Sequence, residues 1–416
     1  MLKNYLKTAW RNIIRSKGYS ALNILGLATG MAVALLIGLW VYNEYSYDRF
    51  LPNQDRIYQV RRNYNSNGEI LNFNTTSLAL AEALRHEIPE IEYVVEADWM
   101  GPHGLMVGDK KIYLGGAHAN SDFLKMFQYP LLKGDAGSVL KEVHSIVLTE
   151  STAKTLFGDE DPINKTVRID NNADLKVTGI MKDVPKNATL RFNFLVPISY
   201  LETVRPWMKA SRTGSFSDNA FQQFVQLKPG ISYAQVAPKI RDIEKREKGN
   251  RNAELSDVIL QPLARWHLYS DYQNGKDRGG FIEYVRMFSI IGALVLLIAC
   301  INFINLTTAR SEKRAREVGV RKAIGSQRKD LILQFLMESF LLSFMAFVCS
   351  LCFVQLALPA FNALTGSGIA LPVGSGLFWM LMAGAVIITA LIAGSRPAFY
   401  LSSFNPVKVL KGATRE

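Results

Sequence analysis

Three stretches of this chain, residues 22–41, 287–306 and 377–394, carry no charged side chain, and a fourth, 335–358, carries only Glu338. The four are 18 to 24 residues long. A helix rising about 1.5 Å per residue needs roughly 20 residues to cross a hydrocarbon core of about 30 Å. The sequence therefore predicts a membrane protein with four transmembrane α-helices. Lys3, Lys7, Arg11, Arg15 and Lys17 precede the first stretch, as they would in a cleaved secretory signal. Signal cores, however, are only about 7 to 15 residues long and end at small residues. This stretch runs on through Leu39, Trp40, Val41 and Tyr42, and is expected to be retained.

A net charge of +12 suggests nucleic acid until it is divided by segment. Residues 1–43 hold 5 Lys/Arg and no acids, and residues 286–416 hold 13 against 5, which leaves 30 against 31 in the long segment between. The surplus lies beside the apolar stretches, which is the signature of cytoplasmic flanks. A nucleic-acid binder would need a basic stripe on a folded domain, and none is expected here. The N-terminus, the 310–329 loop with its 8 Lys/Arg, and the C-terminal tail are placed in the cytoplasm, while 44–285 and a short 359–376 loop are placed outside. Cys300, Cys349 and Cys352 all fall in apolar stretches, so the outer domain has no disulfide and must rely on its own core.

Leu2, Leu6, Trp10 and Ile13 recur at helical spacing, with Lys3, Lys7, Arg11 and Arg15 on the other side, predicting an amphipathic helix on the inner membrane face. In the first stretch Gly26, Gly30, Ala34 and Gly38 fall on one helix face and predict close approach of a second helix. Across 44–285 strand-like and helix-like segments alternate, so the outer domain is expected to be mixed α/β. Strands are read at 56–62, 91–99, 145–148, 175–181, 192–197, 221–227 and 257–263, and helices at 77–88, 151–157 and 233–248.

Catalytic signatures are absent. No G-x-x-x-x-G-K-[ST] occurs, Gly275-Lys276 being followed by Asp277, and neither G-x-S-x-G nor H-E-x-x-H is present. His86, His103, His118, His144 and His267 show no metal-ligand spacing, so no catalytic, cofactor-binding or metal residue is expected, and no cofactor. Asn302, Asn305 and Glu338 are the polar groups within the spans; hydrogen bonds between helices suit the asparagines and an inner-interface position suits the glutamate. The cytoplasmic run 311–331 is the informative segment. It predicts a helix capped by Gly325, with Ser326 starting the next one, and Ala315, Gly319 and Ala323 form a small-residue ridge flanked by Arg314, Arg321 and Lys322. Such a ridge suits a partner's groove; a loop serving only to set topology would not need it.

At this segment, REVGVRKAIG over 316–325, the chain resembles the FtsX-like permease family. As a whole it is similar to MacB-type ABC transporter permeases of the kind found in Bacteroidetes. WRN at 10–12, ILGL at 24–27, QFLME at 334–338 and RPAFYLSSFNP at 396–406 also carry the resemblance, as do LFGDEDP at 156–162 and LKPG at 227–230 in the outer domain. Related chains often carry the four-helix module twice, and NPVKVLK at 405–411 resembles the junction after their first half.

The resemblance implies an inner-membrane permease subunit, not an enzyme, that relays the ATP-driven motion of a separate cytoplasmic ABC ATPase to a periplasmic domain. That domain is a porter-like part interrupted by an inserted second part. ATP is used by the partner. The coupling residues it implies are Ala315, Glu317, Gly319, Arg321, Lys322, Ala323 and Gly325, and further partners are a second permease module, as a homodimer or a fused half, a periplasmic protein and the lipid bilayer. The expected organisation is an amphipathic helix over 1–19, spans over 20–43, 286–308, 333–358 and 377–396, the periplasmic core domain over 44–285, a coupling loop over 309–332, a short outer loop over 359–376 and a tail over 397–416. A membrane-anchored ligand sensor is the alternative from another class, but it would need a cytoplasmic output domain; a secondary transporter would need ionisable groups at the midplane.

Overall fold

The computed structural model describes residues 2–216, 218–313 and 327–403. In chain order the elements are α1 (Leu2–Arg15), α2 (Lys17–Tyr45), β1 (Ile57–Ser66), β2 (Glu69–Phe73), α3 (Leu78–Glu87), β3 (Ile91–Ala97), β4 (Gly101–Val107), β5 (Lys110–Ala119), α4 (Phe123–Phe127), β6 (Leu131–Lys133), β7 (Ser145–Thr149), α5 (Glu150–Phe157), β8 (Thr166–Ile169), β9 (Ala173–Met181) and β10 (Phe194–Pro197). They continue with α6 (Ile198–Val204), α7 (Trp207–Arg212), β11 (Gln222–Leu227), α8 (Tyr233–Arg241), α9 (Arg251–Glu254), β12 (Ser256–Pro262), a hairpin of β13 (Asp271–Gln273) and β14 (Lys276–Gly279), α10 (Phe281–Lys313), α11 (Arg328–Thr365) and α12 (Gly376–Ser403). Two compact units result, one from Met1–Asn43 with Val285–Glu416 and one from Glu44–Tyr284.

The first unit is helical. Lys17–Tyr45, Phe281–Ala309 and Lys329–Thr365 are long and apolar enough to cross a bilayer, whereas Gly376–Ile392 is a shorter apolar helix. The helix ends differ from the sequence expectation. α11 passes through Pro359 and stops only at Gly366, whose φ of 65° gives the left-handed cap, so residues 359–365 of the expected 359–376 loop are helical. Proline removes one backbone donor, a loss a membrane helix tolerates when neighbouring groups satisfy the freed carbonyl. α12 likewise runs to Ser403, into the expected tail. Gln327 caps α11; Ser326 lies outside the described residues, as does the 314–326 segment with the expected helix and Gly325 cap.

The outer unit is mixed α/β in two lobes. β3, β11, β1 and β12 form an antiparallel sheet, with β2 on β1. α3 and α8 cover it, burying Leu80, Leu84, Val236 and Ile240 against Val60, Val94, Val225 and Leu260. Between β3 and α6 the chain departs into a second lobe, where β10, β7, β9, β8, β4 and β5 follow one another and a parallel β10–β5 pairing closes the ring. Leu105, Ile146, Leu148, Val167, Leu175, Val177 and Phe194 pack with its helices. A third cluster around Phe123, Phe127, Phe224 and Trp266 draws on both lobes.

β4 and β5 were not expected, because Gly101, Gly104, Gly115 and Gly116 weaken strand propensity. Packing overrides propensity here: a Cβ on Gly116 would stand 2.1 Å from Cζ of Phe194, so only glycine admits that ring. The helix expected over 233–248 ends at Arg241, three residues after Pro238, and continues only as a single 3₁₀ turn.

Candidate functional site

In the helical unit the small-residue face of α2 divides in two. A Cβ on Gly30 would meet the Cβ of Ala299 on α10 at 2.3 Å, and one on Gly26 would lie 3.6 Å from Asn302 Nδ2. Gly292 of α10 answers from the other side, where a Cβ would stand 3.1 Å from Ile37. A Cβ on Gly38 would meet nothing within 4 Å; Gly38 and the half-buried Ala34 instead line an apolar cavity of about 470 Å³ with Met31, Leu35, Tyr42, Phe347, Phe378 and Thr389.

Polar links between these helices come from Asn23 and Thr307, which the sequence did not single out, and from Glu338, which it did. Asn23 of α2 donates to Thr307 Oγ1 at 3.3 Å, and Asn12 of α1 donates to Glu338 at 3.4 Å. Glu338 is thus buried against α1, whereas Asn302 and Asn305 are exposed on α10. The expected coupling residues Ala315, Glu317, Gly319, Arg321, Lys322, Ala323 and Gly325 lie outside the described residues.

The outer unit holds together its own two ends through His267. Its Nε2 is 2.5 Å from a carboxylate oxygen of the buried Glu44, at the end of α2. Tyr47 stacks on its imidazole at 3.4 Å between centroids, and Phe281, the first residue of α10, meets the same ring at 5.4 Å. Beside it Asp48 accepts from the Thr189 backbone N–H at 2.8 Å and from its hydroxyl at 2.5 Å. Arg191 donates to the Tyr47 hydroxyl. Nothing in the sequence marks this cluster, which joins residues 44–48 to Thr189, 141 residues on, and to His267, 223 residues from Glu44.

Burial pushes the Asp48 carboxyl above the ordinary carboxylate range, with the Thr189 hydrogen bonds opposing. The folded state therefore holds this proton more tightly than the unfolded chain. The stability it contributes is complete below the ordinary pKa and is lost as pH rises through the raised one. Asp48 also sits at φ 60°, a backbone region that asparagine tolerates well. Asp48→Asn should therefore be at least as stable as wild type at pH 8, and the wild type should gain on it toward pH 5. Thermal unfolding of the detergent-purified chain across that range checks the crossing; parallel curves would refute it.

A polar cleft opens on the sheet lobe. Arg61 is buried, donates to Asn72 at 2.7 Å and to Gln59 and Gln261 at 3.1 Å, and lies 4.3 Å from the Tyr272 ring centroid. These partners are neutral, so burial lowers its pKa, while the Tyr272 hydroxyl is pushed up to about 12, chiefly by burial. The cleft's inner part, about 190 Å³, is lined by Gln59, Asn74, Gln222 and Trp266.

Residues 20–243 match the model of the MacB-like periplasmic core domain, and residues 289–406 match that of the FtsX-like permease C-terminal region. The chain is similar to the pyoverdine export ATP-binding/permease protein PvdT of Pseudomonas syringae pv. syringae, with 26% identity over 97% of this chain and 59% of that one. It is 31% identical to the macrolide export ATP-binding/permease protein MacB of Bdellovibrio bacteriovorus, over 64% of this chain and 38% of that one. The chain thus spans about six tenths of the length of the first of these relatives. Among solved structures, the periplasmic region of MacB from Actinobacillus actinomycetemcomitans covers 52% of this chain at 18% identity, with a TM-score of 0.36.

Proposed function

Because this chain belongs to the family of permeases with a MacB-like periplasmic core domain and an FtsX-like C-terminal region, we propose that it is the transmembrane subunit through which an ABC ATPase drives motion in the periplasm. It is an inner-membrane protein with a large periplasmic α/β domain. In our reading four helices span the bilayer, with α12 as the fourth. ATP is hydrolysed by a separate cytoplasmic subunit that docks on the 309–332 loop, a second permease module completes the transporter, and the outcome is export or extraction on the periplasmic side.

The observation that carries the relay is the grip of His267 on both ends of the outer domain. A domain driven by helix movement must hold each of its stems firmly; a loosely tethered one would absorb the displacement in its linkers. Glu44 and Phe281 meet on one imidazole, and the Ile282 N–H donates to the Leu268 carbonyl at 3.0 Å, so displacement of either stem is borne by the fold. Among the described residues of α2, α10 and α11, Glu338 is the ionisable carboxylate between the helix ends and it is engaged by Asn12, which gives little support to an ion relay.

The docking loop supplies the test. If Ala315, Gly319 and Ala323 enter an ATPase groove, Gly319→Trp should block close approach at a cost of about 1–3 kcal/mol or more. Lys322→Gln should cost less, since an exposed ion pair contributes roughly 0–1 kcal/mol. The measurement is co-purification with the ATPase and permease-stimulated ATP hydrolysis, with membrane insertion as control. Normal coupling by a normally inserted Gly319→Trp would leave the loop a topology determinant only.

A further inference from the structure

Two neighbouring arginines of β1 are both buried, and alternation along the strand sends them to opposite faces of the sheet lobe. Arg62 meets the carboxylate of Glu244 on its face. Arg61 makes no ion pair among the described residues: its Nε and Nη1 donate to the neutral amide oxygens of Asn72, Gln59 and Gln261. A guanidinium cannot shed its proton, so a buried one calls for a negative charge beside it. The surrounding groups do not supply that charge. The Tyr272 ring covers the guanidinium at 4.3 Å, but its hydroxyl is pushed up to about 12 and stays neutral. Asp277 is taken by Arg265 at 2.5 Å, and Glu69 and Asp271 stand exposed on the outer wall of the cleft.

The face that carries Arg61 is polar where a sheet interior is ordinarily apolar. Gln59, Gln222 and Gln261 are buried there with it, and Gln59 donates to Gln222 at 3.4 Å. Arg61 is only 9% exposed, yet it forms part of the wall of both the inner space of about 190 Å³ and the wider outer cleft of about 690 Å³. Nη2 of Arg61 has no acceptor among the described residues. Asn74 and Gln222 line the same inner space, so one cation and two amides border a volume of small-molecule size, with Leu190, Phe224 and Trp266 as its apolar wall.

We propose that this cleft binds a small organic carboxylate, its carboxyl group accepting from the Arg61 guanidinium between the amides of Asn74 and Gln222. One buried cation balances one negative charge, which a carboxylate supplies and a phosphate dianion exceeds. Glu69 and Asp271 at the approach further disfavour a second negative charge. The apolar wall takes the short carbon part of the ligand. The outer domain then carries a ligand site of its own, independent of the relay.

The test uses the full chain in detergent at low chloride, with trifluoroacetate as a water-soluble carboxylate probe followed by ¹⁹F NMR. Its resonance should broaden saturably, with a Kd on the order of 1–10 mM for so small a ligand. Acetate should displace it, whereas acetamide, the neutral isostere, should not. Arg61→Gln should weaken binding at least about tenfold, as for loss of a charged hydrogen-bond donor. Tyr272→Phe keeps the ring over the guanidinium and should bind as wild type. Asn74 is half-buried; Asn74→Ala should weaken binding about 2- to 10-fold and reads the site even if Arg61→Gln does not fold. Absence of saturable broadening in wild type, or undiminished binding by folded Arg61→Gln or by Asn74→Ala, would overturn the site. Displacement by inorganic phosphate as effective as by acetate would overturn the carboxylate assignment.

Discussion

Replacing Arg62 with methionine is expected to destabilise the outer domain by about 3–5 kcal/mol, the range for breaking one side of a buried ion pair. Arg62 and Glu244 are 2% and 0% exposed and meet at 2.5 Å. The guanidinium also donates to the Phe216 carbonyl at 2.6 Å and to Asn219 at 2.9 Å, so one side chain of β1 secures the segment before β11 and the turn after α8. Methionine fills much of the volume but leaves the Glu244 carboxylate buried without its cation. Burial already holds that carboxyl above its ordinary pKa, with Arg62 as the chief opposing influence. Removing Arg62 should raise it further. The folded state then gains from protonation, so the deficit should be largest near pH 8 and shrink toward pH 5. Glu244→Gln, which removes the charge but keeps an acceptor, should cost clearly less. Urea unfolding of the full chain, followed by protease cleavage within residues 44–284, reads all three; a loss below about 1 kcal/mol in Arg62→Met would contradict the account.

In the helical unit, adding one methyl group at Gly30 should have the largest effect of any glycine-to-alanine substitution on α2. The added Cβ would be 2.3 Å from that of Ala299, well inside van der Waals contact, so the helices must part or tilt. The expected cost is about 1–3 kcal/mol. The same change at Gly38, where the added Cβ would meet nothing within 4 Å, should be silent. The decisive variant is reciprocal. In Gly30→Ala with Ala299→Gly the methyl merely changes helix, since the next atoms are at 3.7 Å. Most of the lost stability should return, as a coupling energy of about 0.5–3 kcal/mol. Thermal inactivation of the detergent-solubilised chain measures it, and a double variant no better than Gly30→Ala would show that the contact is not what sets the distance.

What the sequence made legible was whatever depends on local periodicity. Long uncharged runs announce apolar helices, and alternation announced β1, β3, β7, β9 and β11. What it hid was set by partners distant in the chain. The glycines of β4 and β5 argue locally for a loop, and only Phe194, nearly eighty residues on, gives Gly116 its reason. His103 and His118 are fifteen residues apart, and only the hairpin and the β5–β10 pairing fix the register that brings their rings edge to face. The small-residue face of α2 was read as one surface because its period is regular; the structure uses Gly26 and Gly30 against α10 and leaves Ala34 and Gly38 facing a cavity. His267 could not be found at all, since its partners Glu44 and Phe281 are near it only in the folded domain.

The closed ring of six strands has one more property. Ala97, where the chain leaves the host sheet, and Pro197, where it returns, both pair with Ala119, on opposite edges of β5. Two strand spacings separate them, about 10 Å. The ring is therefore a cassette whose entry and exit lie side by side, and exchanging it for another module of like end spacing would leave the register of β3, β11, β1 and β12 untouched. The ring can then diversify in sequence while the core between that sheet and its covering helices α3 and α8 stays the same.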